Sequence, residues 1–359
     1  MANALTALHE LGQSVWLDSI RRSYLEPGGY LPGLVEAGEI SGLTSNPTIF
    51  DKALSADASY GPQLAELVGA DPRDALWDLM KADVRAACDL FLPLYTATEG
   101  ARGFVSIEVD PSKAFDTEET VAEALVLARE LDRPNLMVKV PGTEPGLGAI
   151  TRLLAEGINV NVTLLFSVAR YESVAQAYLE GLRRRAVAGG DLSQLASVAS
   201  FFVSRVDTKV DALLGDGHPR LATAAVANAR VAYGAFGRIF SGPDFAALAQ
   251  HGARVQRPLW ASTSTKNPAY SDVLYVEELA GPDTVNTMPE ATLEAARDHA
   301  TVEDRLSGTA EEARAQLDRL AEDGVDFDQV TKELETEGVE AFVASFNAAV
   351  ATVAEHVAS

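Results

Sequence analysis

A lysine stands in the middle of the apolar run Asn135-Leu136-Met137-Val138-Lys139-Val140-Pro141. Gly142 to Gly146 breaks the run, and a helical segment over Leu147–Ala155 follows. A strand between two helices usually sits in a parallel sheet covered on both faces. Burial disfavours the charged form of a lysine there, and a neutral amine can attack a carbonyl to give a Schiff base. The alternative is a place near the strand end, from which Lys139 snorkels to water. Other reactive types recur at comparable positions. Asp18, Asn46, Glu108, Asn161, Thr163, Ser200, Arg205, Ser262 and Lys266 each fall in the late part of an expected strand or just beyond it. Singly, each has a plain local reading: Asp18 can cap a turn, and Asn46 before Pro47 suits a helix N-cap. Together they make a set of one amine, two carboxylates, polar positioning groups and two cations. That set suits Schiff-base chemistry on a phosphorylated hydroxy-carbonyl compound. The amine would condense with a ketone, one carboxylate would move a hydroxyl proton, and a second acid/base with a held water would form and hydrolyse the imine. The cations would bind phosphate.

Eight strand patterns alternate with helical ones. The strands are expected at Ser14–Ile20, Ile40–Thr44, Gly103–Asp110, Asn135–Pro141, Ile158–Phe166, Gln194–Val203, Arg257–Ser262 and Asp283–Pro289. In the first, Trp16 and Asp18 share a face opposite Val15, Leu17 and Ser19. In the third, Ser106, Glu108 and Asp110 oppose Val105, Ile107 and Val109. In the fifth, Asn159, Asn161 and Thr163 share a polar face, which between helices points to a functional lumen. Helical patterns cover Leu34–Gly38, after a Pro/Gly loop at Glu26–Gly33, and then Phe50–Ala97, Asp116–Leu131, Ser167–Arg185, Val206–Leu214, Pro219–Phe240, Asp272–Ala280, Glu290–His299, Thr309–Asp323 and Asp328–His356. This order predicts an α/β fold, a (β/α)8 barrel of the TIM type with additional N-terminal and C-terminal helices. One catalytic domain would span 1–359, with a C-terminal helix at about 328–356 packed on the barrel, since such barrels run to ~250 residues and carry their active sites at the C-terminal strand ends. A doubly wound open sheet is the weaker architecture, because no Gly-x-Gly-x-x-Gly follows the first strand. The Gly142–Gly148 loop lacks the Gly-Lys-Ser/Thr of a P-loop.

The 359 residues are 47% hydrophobic, and their net charge is −23. That charge argues against nucleic acid and anionic membranes as partners, and it means an anionic substrate needs a local cationic pocket. Cys88 is the only cysteine, which excludes intramolecular disulfides and a cysteine-based zinc site, and it reads as a packed residue. The five histidines are scattered, so no metal site is expected. Met1–Gln13 shows no secretory signal and no apolar run approaches a membrane span of ~20 residues, so a cytoplasmic protein is expected.

Four ordered blocks carry a resemblance. Ser41-Gly42-Leu43-Thr44-Ser45-Asn46-Pro47-Thr48-Ile49-Phe50, Phe104–Asp110, the lysine-bearing Leu136–Gly148, and Asn159–Ser167 resemble the transaldolases, in that family's order. The resemblance implies transfer of a dihydroxyacetone unit from sedoheptulose 7-phosphate to glyceraldehyde 3-phosphate, in the non-oxidative pentose phosphate pathway, with no cofactor or metal. By the same resemblance Lys139 forms the Schiff base, Asp18 is the acid/base of carbon–carbon cleavage, and Glu108 acts through a water that Thr163 helps hold. Thr44, Asn46, Asn161, Ser200, Phe202 and Ser262 would bind the sugar, and Arg205 with Lys266 its phosphate. The partners implied are small-molecule sugar phosphates, and a homo-oligomer is compatible with the longer members. One departure stands out. Many relatives carry Ser-x-Arg-Asn after the seventh strand, whereas this chain has Ser262-Thr263-Ser264-Thr265-Lys266-Asn267, with a point charge in place of a bidentate fork.

Two competing readings remain. A fructose 6-phosphate aldolase-like enzyme would release the three-carbon unit, but such relatives are shorter and tend to carry glutamine at Glu108 and tyrosine at Phe202. A sugar-phosphate-binding barrel without catalysis would need Lys139, Asp18 or Glu108 to be missing or misplaced.

Overall fold

Eight strands close on themselves in chain order in the computed structural model, which describes residues 3–358. They are β1 (Gln13–Asp18), β2 (Gly42–Thr44), β3 (Phe104–Glu108), β4 (Leu136–Pro141), β5 (Val160–Leu165), β6 (Ser197–Phe202), β7 (Arg257–Ala261) and β8 (Thr284–Met288). Every pairing is parallel, and β8 returns to β1 from Gln13↔Thr284 to Leu17↔Met288. The expected (β/α)8 barrel with additional terminal helices is therefore the fold. Met1, Ala2 and Ser359, ends of the expected 1–359 domain and, for the first two, of the segment read for a signal, lie outside the described residues.

Register organises the lumen. Residues paired across a parallel sheet face the same way. Asp18 lies beside Thr44 and Thr44 beside Ser106. One step further up, Glu108 lies beside Lys139 and Lys139 beside Asn161. The opposite faces, with Val15, Leu17, Val105, Ile107, Val138 and Val140, are wholly buried and belong to the apolar core. The alternation seen in the sequence thus sorts polar side chains inward and aliphatic ones outward under the helices.

The strands are shorter than their sequence patterns, because hydrogen-bond pairing stops where the chain lifts toward a helix. The first strand ends at Asp18 instead of Ile20. The loop expected at Glu26–Gly33 is cut short by a helix at Tyr30–Glu36, which replaces Leu34–Gly38. The Phe50–Ala97 stretch divides into helices Pro47–Ala56, Gly61–Glu66 and Pro72–Ala97, the last capped by Asp71. The helix expected from Pro219 begins at Ala224, after Ala222 at φ +60°. Helices at Ala4–Leu11 and Pro243–Ala249 were not read from the sequence.

The last helix, Phe327–Val357, starts at the Asp326 cap and buries Val330, Leu334, Phe342, Phe346 and Val353. Thr48 donates to Ser345 Oγ at 2.7 Å, and Trp77 meets Phe346 with ring centroids 5.7 Å apart. The helix also runs close over the end of β5: a Cβ on Gly338 would sit 3.1 Å from Leu164 Cδ2. There β5 is bulged, with its register shifting between Val162 and Leu165 and Leu164 at φ +62°.

At the barrel wall Gly42 gives Trp16 its room. A Cβ there would lie 2.6 Å from the indole and 2.8 Å from the Phe104 carbonyl oxygen. Gly42→Ala should therefore destabilise the protein by about 1–3 kcal/mol, as overpacking does, read as a fall in the midpoint of denaturant unfolding. An unchanged midpoint would mean that the wall can yield.

Candidate active site

Lys139 does not snorkel. It is 4% exposed, and its ammonium lies 3.2 Å from Glu108 Oε2 and donates to the Ser45 carbonyl at 3.1 Å. Glu108 is 1% exposed. Burial pushes its carboxyl above the usual range, Lys139 and Arg205 pull it back, and Asp18 adds to the rise. Glu108 Oε1 and the buried Thr163 hydroxyl have no hydrogen-bond partner among the described residues. Buried polar atoms are nearly always partnered, by protein or by water, so each of these two atoms has capacity for a polar guest.

Asp18 ends β1 and accepts from the Thr44 hydroxyl at 2.6 Å; Thr44 in turn lies 2.7 Å from Thr287 Oγ1 on β8. Burial raises the Asp18 carboxyl above its ordinary value, opposed by Lys139, by the Thr44 hydroxyl and by Lys266. Asn46 is the N-cap of Pro47–Ala56: its side-chain oxygen accepts from the Ile49 amide at 3.0 Å. The capping role and a place in the cavity wall coexist, because Pro47 at the first helical position turns the chain at the rim. Asn161 spans two hydroxyls, donating to Ser106 Oγ at 3.1 Å and accepting from Ser200 Oγ at 2.6 Å.

One cavity of about 260 Å3 gathers Asp18, Thr44, Asn46, Lys139, Thr163, Ser200, Phe202, Arg205, Ser262 and Lys266 at the C-terminal ends of the strands. Of the twelve residues singled out in the sequence, Glu108 and Asn161 stand behind this wall instead of on it, Glu108 against Lys139 and Asn161 against Ser200. Ser262 follows β7 at φ +57° and shares its hydroxyl with Ser204 at 2.9 Å. Lys266 stands exposed at the mouth, bonded to Ser264 Oγ at 2.6 Å.

The cavity also holds residues that the sequence did not single out. Lys52 comes from the helix Pro47–Ala56, one turn beyond Thr48 and Ile49, and all three line the wall. Three-to-four spacing groups them on one helix face, but sequence alone does not say that this face looks into the barrel. Thr287 pairs with Trp16 and so shares the lumen face of Asp18, a register that comes from the closed sheet and not from the sequence. Phe342 arrives from the C-terminal helix, its ring 6.0 Å from Lys139 Nζ and 5.8 Å from the Arg205 guanidinium. Arg205 also lies over Phe202 at 5.4 Å. Burial lowers the pKa of Arg205; burial, Arg205 and Lys52 lower that of Lys266. A chain of net charge −23 thus has four cationic side chains and one carboxylate on this wall. The cavity offers an anion local cations on a protein whose net charge is negative.

The profile of the family Transaldolase/Fructose-6-phosphate aldolase matches residues 15–353. The transaldolase of Acidothermus cellulolyticus is 52% identical over 360 residues, covering 98% of this chain and 96% of that protein. That of Saccharopolyspora erythraea is 52% identical over 357 residues, covering 98% and 97%. That of Mycobacterium tuberculosis is 49% identical over 352 residues, covering 96% and 94%.

The raised pKa of Asp18 fixes the sign of a stability effect. A carboxyl whose folded pKa exceeds its unfolded value loses stabilisation as pH rises between the two. Asp18→Asn can keep the Thr44 hydrogen bond and carries no charge. Its melting temperature should exceed that of the parent at pH 7, and the gap should close as pH falls below the unfolded carboxylate range near ~3.9. Equal melting temperatures at pH 7 would contradict the burial penalty.

Proposed function

Because the chain belongs to the transaldolase/fructose-6-phosphate aldolase family, we propose that it works as a transaldolase, one catalytic unit acting on sugar phosphates in the cytoplasm. The donor is sedoheptulose 7-phosphate, the acceptor is glyceraldehyde 3-phosphate, and the products are erythrose 4-phosphate and fructose 6-phosphate. This is a step of the non-oxidative pentose phosphate pathway, and the protein is an enzyme of the transferase class. The observation that carries the reading is Lys139, 4% exposed and 3.2 Å from Glu108, at a cavity that also holds Asp18 and three further cations.

Glu108 takes a proton from the Lys139 ammonium, and the freed amine adds to the donor ketone, giving a carbinolamine. A proton delivered from Glu108 lets hydroxide leave as water, and the iminium remains. Asp18 then takes the proton of the hydroxyl next to the bond that breaks. The carbon–carbon bond cleaves, its electron pair flows to the iminium nitrogen, and erythrose 4-phosphate departs, leaving an enamine. The enamine carbon attacks the acceptor aldehyde, and Asp18 returns its proton to the new alkoxide. A water held between Glu108 and Thr163 gives a proton to Glu108 and adds to the iminium, and fructose 6-phosphate leaves the amine. The two buried carboxyls, raised by burial above the ordinary carboxylate range, suit groups that must take and return protons. Asn161, fixed between Ser106 and Ser200, presents the Ser200 side to the dihydroxyacetone unit. The transfer reading is preferred over release of free dihydroxyacetone because the relatives at about half identity are named transaldolases.

Borohydride with donor should trap one adduct, on Lys139 among the seven lysines. Single-turnover mixing separates the carboxylates. Asp18→Ala should still form the adduct and fail to release erythrose 4-phosphate, whereas Glu108→Gln should slow adduct formation by about 10²–10⁴-fold. Trapping that persists in Lys139→Ala, or the reverse division between the two carboxylate variants, would overturn the assignment. Accumulation of free dihydroxyacetone without acceptor would establish the aldolase reaction instead.

Arg205, Lys266 and Lys52 should carry phosphate affinity. Arg205→Ala should raise KM by the equivalent of about 1.5–3 kcal/mol with kcat little changed. Lys266→Ala and Lys52→Ala should each raise it less, since a solvated point charge gives weaker contacts than a half-buried fork. An unchanged KM in all three would place the phosphate elsewhere.

A further inference from the structure

The opposite mouth of the barrel carries a second group of cations. Arg257 opens β7, Arg254 precedes it, and Arg102 comes just before β3. Arg254 and Arg257 line a pocket of about 240 Å3 together with Phe104, Met137 and Val198, which lie at the N-terminal ends of β3, β4 and β6. Most arginines of this acidic chain sit on a carboxylate: Arg22 on Asp83, Arg133 on Asp89, Arg230 on Glu278. These three do not, among the described residues. Arg102 donates to the His9 carbonyl, Arg254 to the Glu99 carbonyl, and Arg257 to Ser14 Oγ at 2.8 Å and the Ala101 carbonyl at 3.4 Å. Every acceptor is neutral, and most of the five donors of each guanidinium remain free.

The groups also act on one another. Burial pushes Arg257 down to about 10, and Arg102 and Arg254 add to the fall; Asp283, exposed at the pocket rim, opposes it. Burial, with Arg102 and Arg257, pushes the neighbouring His9 down to about 4. Acidic side chains outnumber basic ones 52 to 29 in this sequence, yet Asp283 is the one carboxylate on the pocket wall and it forms no ion pair with these arginines among the described residues. Three converging guanidinium groups offset only by the exposed Asp283 carboxylate are costly, and a small oxyanion removes that cost through charge-assisted, bidentate contacts to guanidinium forks.

We propose that the N-terminal mouth of the barrel is a binding site for a small phosphate-type dianion, held by the guanidinium groups of Arg254 and Arg257 with Arg102 beside them. It is separate from the cavity around Lys139, which opens at the other end of the strands, and it does not depend on the transaldolase reading.

The probe is inorganic phosphate, with sodium chloride at matched ionic strength as the control. Binding is read by calorimetry and by melting temperature, in an Arg205→Ala/Lys266→Ala background that weakens the catalytic phosphate locus. That background should retain one phosphate-binding event and a rise in melting temperature beyond that given by chloride. Adding Arg254→Gln should weaken the event at least tenfold. Arg254→Gln alone should leave kcat and KM for the sugar phosphates unchanged, with Arg102→Gln as an independent second variant expected to weaken binding in the same direction. Loss of all phosphate binding in the background, an equal response to chloride, or phosphate binding indifferent to both arginine variants would each overturn the proposal.

Discussion

A lysine ammonium and a glutamate carboxylate lie 3.2 Å apart where water scarcely reaches. Taking two such ions out of water costs several kcal/mol each, and their attraction offsets this only in good geometry. The barrel supplies that geometry through register. Glu108 and Lys139 are direct partners across β3 and β4, and a slip of one residue would turn both charges into the aliphatic layer beneath the helices. The apolar outward faces, Val105 and Ile107 on one strand and Val138 and Val140 on the next, therefore hold the inward pair in place. Polar chemistry inside is specified by hydrophobic burial outside.

This explains what was legible in the sequence. Alternation in Val105–Val109 and Ile158–Leu164 told which side chains share a face, and the count of alternating elements told that the sheet closes. Strand ends were not legible, because they depend on where pairing stops and not on residue type. Lys52 and Phe342 were missed for another reason. Each lies on a helix whose sequence looks amphipathic, and the orientation of its face is set by contacts far along the chain, such as Thr48 with Ser345. Cys88 was read as packed, and it is fully buried with its thiol pushed up to about 12.

Two residues at the same rim carry backbone strain. Leu164 and Ser262 hold left-handed conformations of the kind that cost on the order of 1–3 kcal/mol in non-glycine residues. Leu164 follows Thr163 directly, and the bulge there lets β5 keep Thr163 inward while Leu165 re-enters register with Phe201. The bare face of Gly338 lets the C-terminal helix press on Leu164 and hold the bulge. Ser262 is held by its hydroxyl contact to Ser204, the residue that leads into Arg205.

Phe342 has a consequence for the order of events in the cell. Every side chain with chemistry at the site, from Asp18 to Lys266, leaves the ribosome before the last helix does. The ring that roofs Lys139 and Arg205 is synthesised after all of them. A nascent chain therefore carries a reactive amine with its roof still missing, and the shielded pocket is assembled only once translation has passed Phe342. Termination between Lys266 and this helix yields a chain that has all of these reactive groups and lacks the Phe342 roof.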